Sequence, residues 1–512
     1  MQLNNKDMII EKQNNELTAL RNENAVLKDA LIELQQQMNW MKKQIFGSKS
    51  EKSCTLMNDG EQLSMFSQTD SEKAKVSDKE ETINVPAHKR KKKRTHNDWM
   101  SKLEIEEVVH HIDTAALICD KCDSEMKVVG TEKAWDELVY VPAKYYVRRH
   151  MTETAKCLNC GSDESQDSMH DDIDKCSFRK STAPSPLIPH SFCSRELIAN
   201  IIYDKYNNAV PLYRKEKSLA NKAIYLLRET MSNWVIHMAE NWGVPVVTAM
   251  KTELLKSSVI HADETPFRVL HEEGRKATAD SKMWVYCNGK LSDKSIVIFD
   301  YKPTRKSEHP VNFLKGFSGY LVCDGYQGYN AVPEVTRCAC LAHIRRKFLK
   351  TLPADKKQQQ TSASAKVIEY ITKIYSIEEK LKDVSPEIRY DQRLAETKPL
   401  LDALYSYLES VTTLKGSFSE AVKYTLNEKK YMYSFLESPD VPVDNNRCEN
   451  SIRPFTVGRK NWLHANTPSG AKANAIWYSI ISTAYANGLN VEQYLIDLFS
   501  NPAGNIILPW NE

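Results

Sequence analysis

Apolar residues recur at seven-residue intervals through the first part of the chain, from residue 3 to residue 45. One heptad position holds Leu3, Ile10, Leu17, Asn24, Leu31, Met38 and Ile45, and the position three residues later holds Leu20, Leu27, Leu34 and Met41. This a/d stripe predicts a coiled coil over residues 1–47, in which Asn24 at an a position favours a parallel dimer. Polar Lys6 and Gln13 at d positions leave a single amphipathic helix as the alternative. We expect a homodimer or a higher oligomer.

Residues 48–100 contain few large apolar side chains and are predicted to form a polar linker, because they cannot offset the entropy cost of folding. An unbroken basic run lies within this linker and consists of Lys89, Arg90, Lys91, Lys92, Lys93 and Arg94. Adjacent cations of this kind condense on a phosphate backbone and release its counterions. We therefore expect the run to bind DNA phosphates without sequence specificity, the alternative being a solvated tail.

Two pairs of cysteines, each with a CxxC spacing, lie in residues 101–180. They are Cys119 with Cys122 and Cys157 with Cys160, and the sequence between them alternates like short strands. Four thiolates can close a tetrahedron around Zn²⁺, and a site with no open position is structural. The 34 residues between the pairs (157 − 122 − 1) exceed the usual spacing, and Cys176 or His170 could replace one ligand. This region predicts a small zinc-binding β module, with four unligated thiols as the alternative.

Residues 181–250 begin with three closely spaced prolines and then have a helical pattern. A helix, a short turn and a second helix ending near Trp234 indicate a possible helix-turn-helix, with Arg228 or Asn233 directed into the major groove of DNA. Asn221 and Lys222 stand where a turn glycine is expected, so ordinary helical packing is the alternative.

From residue 257 the pattern changes to strands. SVIHADETPFRVL, KMWVYCNG and SIVIFDY predict three strands, with a turn-rich loop between the second and the third. A helix through residues 311–315 precedes a fourth strand, GYLVCD, and RCACLAH supplies a fifth. Asp263 lies in the first of these strands, and Asp324 ends the fourth. Residues 251–350 are therefore predicted to form the first part of a sheet domain.

Helical periodicity returns in residues 351–440. The apolar positions are Val367, Ile371, Ile374, Ile377 and Leu381, then Leu394, Leu401, Leu404 and Leu408. The segment is too long for a simple loop and predicts an α-helical insertion. Residues 441–512 continue with a helix that begins after the capping residues Asp444, Asn445 and Asn446 and carries Glu449, followed by closing helices.

Composition limits the class of protein. A length of 512 residues suggests about three domains, and a hydrophobic content of 41% is enough to bury a core. The sequence has no run of eighteen apolar residues and no secretory signal, so we expect a cytoplasmic protein without membrane contact. The net charge of +3 is too small to indicate nucleic acid by itself. Twelve cysteines are too sparse for a disulfide scaffold and, in a reducing compartment, favour metal binding.

Four phrases, HADETPF, VCDGYQGYN, CLAHIRRKF and NNRCENSIRPFTVGRKNWLHA in this order, resemble the DDE transposases of the insertion sequence 66 family. The resemblance implies a ribonuclease H-like catalytic domain in which Asp263, Asp324 and Glu449 are the metal ligands. The strand order agrees, since three antiparallel strands followed by parallel ones bring the ends of the first and fourth strands together. We therefore expect a multidomain protein of the α+β and α/β classes, with a coiled coil, a zinc-binding β module, a helical DNA-binding segment and a ribonuclease H-like domain carrying an α-helical insertion.

Such a carboxylate cluster suits Mg²⁺ or Mn²⁺, and two such ions clamp the attacking and leaving oxygens of a phosphodiester. The implied activity is metal-dependent cleavage at the ends of a bacterial insertion sequence and strand transfer into target DNA, in the cytoplasm at the nucleoid. The implied partners are double-stranded DNA and accessory proteins. Candidate backbone contacts near the site are Arg345, Arg346, Arg453, Arg459 and Lys460, with Trp462 as a stacking face for an unpaired base.

Two other functions are compatible with the sequence. A catalytically inactive DNA-binding regulator derived from a transposase would need only the coiled coil, the zinc module and the basic run. Another ribonuclease H-like nuclease would share the carboxylates but would not transfer strands. Within the domain, Cys338, Cys340 and His343 have a metal-ligand spacing, although core positions are favoured. Glu264 is expected on the face of its strand opposite to Asp263 and outside the site.

Overall fold

The structure is a computed structural model that describes residues 144–156, 178–289, 292–411 and 416–510. The chain divides into two compact units, Met1–Met151 and Thr152–Glu512. The predicted coiled coil, the basic run of residues 89–94 and the four cysteines of the predicted zinc module lie outside the described residues. Their geometry therefore stays a prediction, and the second unit is the one described below.

A six-stranded mixed sheet organises this second unit. Its strands are β3 (Val259–Val269), β4 (Asp280–Asn288), β5 (Val297–Lys302), β6 (Gly319–Cys323), β7 (Val335–Ala339) and the short β8 (His464–Ala465). The strand order is β5-β4-β3-β6-β7, and β8 pairs with the end of β3. Strands β3, β4 and β5 are antiparallel, whereas β6 is parallel to β3 and β7 is parallel to β6. The two preceding strands, β1 (Thr154–Lys156) and β2 (Phe178–Lys180), form a separate antiparallel pair. The order of the large sheet is the one that the sequence predicts.

Fifteen α-helices accompany the strands in the described part of the chain. They are α1 (Arg195–Tyr206), α2 (Leu212–Ala220), α3 (Arg228–Met238), α4 (Val244–Leu254), α5 (Glu308–Phe313), α6 (Leu341–Lys350), α7 (Lys356–Thr361), α8 (Ala363–Lys380), α9 (Pro386–Gln392), α10 (Lys398–Ser410), α11 (Ser417–Asn427), α12 (Lys429–Tyr433), α13 (Asn446–Trp462), α14 (Pro468–Ala486) and α15 (Val491–Ser500). None of these described helices has the length and apolar character needed to cross a membrane.

Helix α14 protects the exposed edge of the sheet at β5. The Ser479 and Thr483 hydroxyls accept hydrogen bonds from the backbone N–H groups of Phe299 (2.8 Å) and Val297 (3.0 Å), and the Asn487 side-chain carbonyl accepts from Ser295 N–H (3.0 Å). The spacing of these side chains along the helix matches the spacing of the N–H groups along β5, because four residues of helix and two residues of strand both advance about 6–7 Å. The polar side chains of α14 thus replace a missing neighbouring strand and satisfy an edge that would otherwise invite aggregation.

Helices α1 to α4 pack on the same core as the sheet. The Trp477 indole on α14 donates to the Val235 carbonyl of α3 (3.1 Å), and the Tyr206 hydroxyl of α1 donates to the Asn474 side chain (2.8 Å). Arg228 and Asn233, the residues predicted to enter the major groove, are both exposed on α3. The segment is therefore helical, as predicted, and its inner face is occupied by packing against α14.

The helical insertion has a second core, which also includes residues of β3, β6 and β7. Of the predicted apolar positions, Leu401, Leu404 and Leu408 are buried, but Leu394 is 38% exposed. The reason is a π-helical turn at Arg393–Thr397, which adds a residue to the turn and rotates the face that follows. Arg393 is buried in its place.

Candidate active site

Strand register places Asp263 and Asp324 at the same level of the sheet. Val259 pairs with Tyr320 across the parallel β3–β6 ladder, an offset of 61 residues (320 − 259). Asp263 and Asp324 have the same offset (324 − 263), and Asp324 is the first residue after β6. The ladder ends at His261 and Val322, two residues before the aspartates, so the register directs Asp263 and Asp324 to the same edge of the sheet. The juxtaposition of their side chains stays a prediction from strand order.

Glu449 approaches from the first turn of α13, whose start is attached to β3 by Asn445. The Asn445 side chain is fully buried, contacts His261 Nδ1 through its carbonyl (2.9 Å) and donates to the Ala262 carbonyl (2.9 Å). Its backbone N–H donates to the Cys340 sulfur (3.1 Å). Asn445 is the N-cap residue of α13, as predicted, and its side chain joins the helix start to the strand immediately before Asp263 instead of bonding to the helix backbone.

The charges of the neighbouring acidic groups act on Asp263. Burial is the largest cause that raises the pKa of the Asp263 carboxyl, which reaches about 8. The negative charges of Glu264, Asp324 and Glu449 contribute in the same direction. A carboxyl with such a pKa is largely protonated at neutral pH unless a cation stabilises its charged form. This arrangement of oxygen ligands fits a hard divalent cation such as Mg²⁺ or Mn²⁺.

A second set of side chains surrounds Glu449. Arg346 on α6 forms an ion pair with it, and His343 Nδ1 lies 3.5 Å from Glu449 Oε1. Burial lowers the pKa of His343, so its ring is neutral near pH 7. The potential ligand atoms of Cys340, His343 and Glu449 all lie within 4.8 Å of one another. Cys338, the first residue of the CxCxxH spacing, is buried in the core of the insertion, so Cys340 and His343 are the two of these three residues that lie near Glu449.

Two arginines fix the Asp324 side of the site, and neither was predicted as a site residue. Arg337 on β7 donates to the Asp324 carbonyl (2.7 Å) and to Glu428 (2.6 Å) of the insertion. Arg305, in the loop after β5, lies 3.8 Å from Asp324 Oδ2 and is paired with Glu264. Glu264 was expected outside the site, but Arg305 connects it to Asp324. Neither arginine belongs to a sequence pattern, because only the fold brings them to Asp324.

The cations predicted to bind DNA have different surroundings. Arg453 and Lys460 are exposed on α13, and Arg345 is half-buried on α6. Arg459 donates to the Thr265 hydroxyl (2.9 Å) and to the Pro266 carbonyl, so it fastens α13 to β3. The predicted stacking residue packs internally as well, because the Trp462 ring contacts Tyr206 and Tyr478 at centroid distances of 6.4 and 6.2 Å.

Three known protein-family models match successive parts of the chain. A family model described as "Transposase IS66 family" matches residues 190–473, which contain the sheet, the insertion and all three acidic residues. A second, described as "zinc-finger binding domain of transposase IS66", matches residues 117–161 and so contains all four predicted zinc ligands. A third, "Transposase C of IS166 homeodomain", matches residues 33–108 and includes the basic run. These matches indicate a structural zinc site and DNA-binding segments before the sheet domain.

Two similar proteins also match most of the chain. The uncharacterized protein y4hP of Sinorhizobium fredii (strain NBRC 101917 / NGR234) is 24% identical over 94% of this chain and 88% of its own length. The uncharacterized protein y4jD of the same strain is 24% identical over 78% of this chain and 79% of its own length. Because the principal family match covers more than half of the 512 residues, the chain belongs to the IS66 family of transposases.

Proposed function

We propose that this chain is a transposase that cuts DNA at the ends of its insertion sequence and joins them to target DNA, with Asp263, Asp324 and Glu449 as the ligands of Mg²⁺ or Mn²⁺. The observation that carries the proposal is the convergence of these residues. Asp263 and Asp324 share one strand offset, and Glu449 lies close enough to raise the pKa of Asp263. The sheet order β5-β4-β3-β6-β7 supports a ribonuclease H-like catalytic domain.

The reaction consists of two phosphoryl transfers. In the first, a water oxygen attacks the phosphodiester at the element end, and the 3′ oxygen leaves as a hydroxyl. In the second, that 3′ hydroxyl attacks a phosphodiester of the target, and the target's own 3′ oxygen leaves. A pair of divalent ions, when bound, supplies Lewis acidity at the attacking and leaving oxygens. Asp263, Asp324 and Glu449 would hold these ions, and Arg346 neutralises the charge of Glu449 through their ion pair.

Upstream segments complete the proposed enzyme. Cys119, Cys122, Cys157 and Cys160 hold a structural Zn²⁺, which the zinc-finger family match supports. The basic run of residues 89–94 binds phosphates of double-stranded DNA, and residues 1–47 pair two or more copies through a coiled coil. Of the cations near the carboxylates, Arg345, Arg346, Arg453 and Lys460 contact the DNA backbone. We omit Arg459 from this set, because its guanidinium is already bound to β3.

The test compares Asp263→Asn, Asp324→Asn and Glu449→Gln with the unchanged full-length protein. Labelled DNA containing the terminal repeats of the element is incubated with Mg²⁺, and cleaved ends and strand-transfer products are separated. Asp280→Asn is the matched control, because Asp280 is an exposed carboxylate on the neighbouring strand, away from the site. Each of the three changes is expected to abolish both products, whereas the control retains them.

Each alternative function gives a distinct result. Cleavage without strand transfer by the unchanged protein would indicate a nuclease of related fold. DNA binding without cleavage would indicate a regulator derived from a transposase. Cleavage by Asp324→Asn at the rate of the control would refute the assignment of the carboxylates.

A further inference from the structure

Arg305 occupies the edge of the candidate active site without an assigned function. It lies in the loop between β5 and α5, three residues beyond the end of β5. Its guanidinium stacks over the Tyr326 ring at 4.1 Å and lies 3.8 Å from Asp324 Oδ2. An arginine beside a carboxylate that holds divalent cations adds positive charge to a cation site. Such an arrangement is favourable only if other groups offset that charge.

Glu264 offsets the charge and orients the guanidinium. Its side chain is only 4% exposed, and one carboxylate oxygen accepts a hydrogen bond from Arg305 Nε at 2.5 Å. The other oxygen accepts from the Tyr329 hydroxyl at 2.9 Å. The Tyr326 hydroxyl donates to the Arg305 backbone carbonyl, so the main chain is held as well. A buried carboxylate and two tyrosines therefore fix one guanidinium in one orientation.

The outer part of this guanidinium is available to a ligand. The Arg305 side chain is 44% exposed, and its contacts with described residues use Nε and Nη2. A guanidinium has five N–H donors, so Nη1 is left for an anionic oxygen. Arg346, which pairs with Glu449, is also 44% exposed. One exposed arginine thus lies beside Asp324 and another beside Glu449.

We propose that Arg305 binds a non-bridging oxygen of the scissile phosphodiester, and that Glu264, Tyr326 and Tyr329 position it. This inference rests on the proposed function, since it takes the substrate of the same site to be DNA. Arginine suits the task because its planar fork binds phosphate oxygens with fixed geometry, which lysine does not reproduce. Arg305 touches the substrate in this proposal, whereas Glu264 acts only through Arg305.

Binding can be tested without chemistry. The full-length protein is titrated with element-end DNA in Ca²⁺ in place of Mg²⁺, using a natural scissile phosphate or an uncharged methylphosphonate at that position. Arg305→Ala should weaken binding of natural DNA about tenfold, as expected for a hydrogen bond to a charged group. The methylphosphonate should weaken binding to the unchanged protein. The loss of affinity that it causes should be about tenfold smaller for Arg305→Ala than for the unchanged protein. Lys306→Ala is the matched control, because Lys306 is the adjacent exposed cation and should keep the full penalty.

Single-turnover cleavage in Mg²⁺ gives a second measurement. Arg305→Ala should reduce the rate about 10²-fold, the usual loss for one donor to a developing charge. Arg305→Lys and Glu264→Gln should fall between this variant and Lys306→Ala. Thermal unfolding of each variant separates these losses from misfolding.

The outcomes distinguish the inference from the proposed function. If the losses of affinity caused by Arg305→Ala and by the methylphosphonate are independent, so that the two together equal their product, the contact is overturned. This holds even if cleavage depends on Asp324 as proposed. Coupled penalties in a protein that never cleaves would support the contact and overturn the proposed reaction. An Arg305→Ala variant that matches Lys306→Ala in both assays would mean that Arg305 only neutralises the acidic centre.

Discussion

Glu428→Ala should destabilise the sheet domain far more than an exposed charge change in the same helical segment. Glu428 directly precedes α12 in the insertion and pairs with Arg337 of β7 at 2.6 Å. The two side chains are only 8% and 4% exposed. The variant therefore leaves a buried guanidinium without its counter-ion, and the insertion loses a direct connection to the strand beside Asp324.

The size of the stability loss depends on the hydrogen bonds that Arg337 keeps in the Glu428→Ala variant. Removing one partner of a buried ion pair costs about 3–5 kcal/mol. Arg337 still donates to the Asp324 carbonyl (2.7 Å), the Asn330 side chain (2.9 Å) and the Cys323 sulfur (3.4 Å). These acceptors favour the lower end of the range, so we expect a loss of about 3 kcal/mol. Replacing both partners by leucine should recover only part of this loss, because no buried charge remains but the Asp324 carbonyl and the Asn330 side chain lose the donor that Arg337 supplied.

Urea unfolding of the full-length protein measures this loss. Trp284 and Trp477 are fully buried in this unit, so tryptophan fluorescence reports its unfolding. Lys429→Ala is the control, because Lys429 is the next residue and its pair with Glu409 is half-exposed. The control should cost less than about 1 kcal/mol. Equal losses for Glu428→Ala and Lys429→Ala would refute the reasoning, as would a double leucine variant less stable than Glu428→Ala.

Three further predictions follow from other parts of the structure. Apparent Mg²⁺ affinity should rise about tenfold per pH unit below pH 8 and level off above it, because a cation must displace the proton that the raised pKa keeps on Asp263. Calorimetric titration of the unchanged protein at several pH values measures this dependence. The Asp263→Asn variant should lack it. Thr483→Val or Ser479→Ala should cost about 1–3 kcal/mol in urea unfolding by leaving a buried N–H of β5 without an acceptor, and a loss below 0.5 kcal/mol would contradict the proposed role of α14. Cys119→Ser should lower the zinc content of the purified chain, whereas Cys193→Ser, at a buried thiol of the sheet unit, should leave elemental analysis unchanged.

Local patterns in the sequence were sufficient for the sheet. The run from Val259 to Val269 and the run from Gly319 to Cys323 are both read as strands, and their order in the sheet matches the prediction. Once the two strands are neighbours, the common offset of 61 residues directs Asp263 and Asp324 to the same level of the sheet. Strand periodicity and the quoted phrases were therefore enough to predict that these two carboxylates belong to neighbouring strands.

Contacts between distant segments could not be predicted in the same way. Leu394 was assigned to the apolar face because an uninterrupted α-helix would align it with Leu401, and no local signal marks the π-helical turn. The burial of Arg393, which pairs with Glu378 through both ends of its guanidinium, explains why the turn is tolerated. For a related reason, residue type did not indicate that Arg305 lies at the site or which groups the Asn445 side chain binds. Their chemistry depends on partners more than forty positions away, and residue type alone does not identify those partners.

The structure also indicates why this family member carries a helical insertion between its second and third acidic residues. Arg337 receives Glu428 from the insertion and holds the Asp324 carbonyl with the same Nη2 atom. Tyr424 of α11 packs so closely on Gly325 that a β-carbon there would lie 2.5 Å from its ring. A side chain on the residue after Asp324 would therefore have to displace the Tyr424 ring or the loop itself. Through these contacts the loop that carries Asp324, the metal ligand proposed above, loses conformational freedom, which favours a preorganised carboxylate. The insertion thus acts as a brace for Asp324, in addition to any contact that its outer surface makes with DNA.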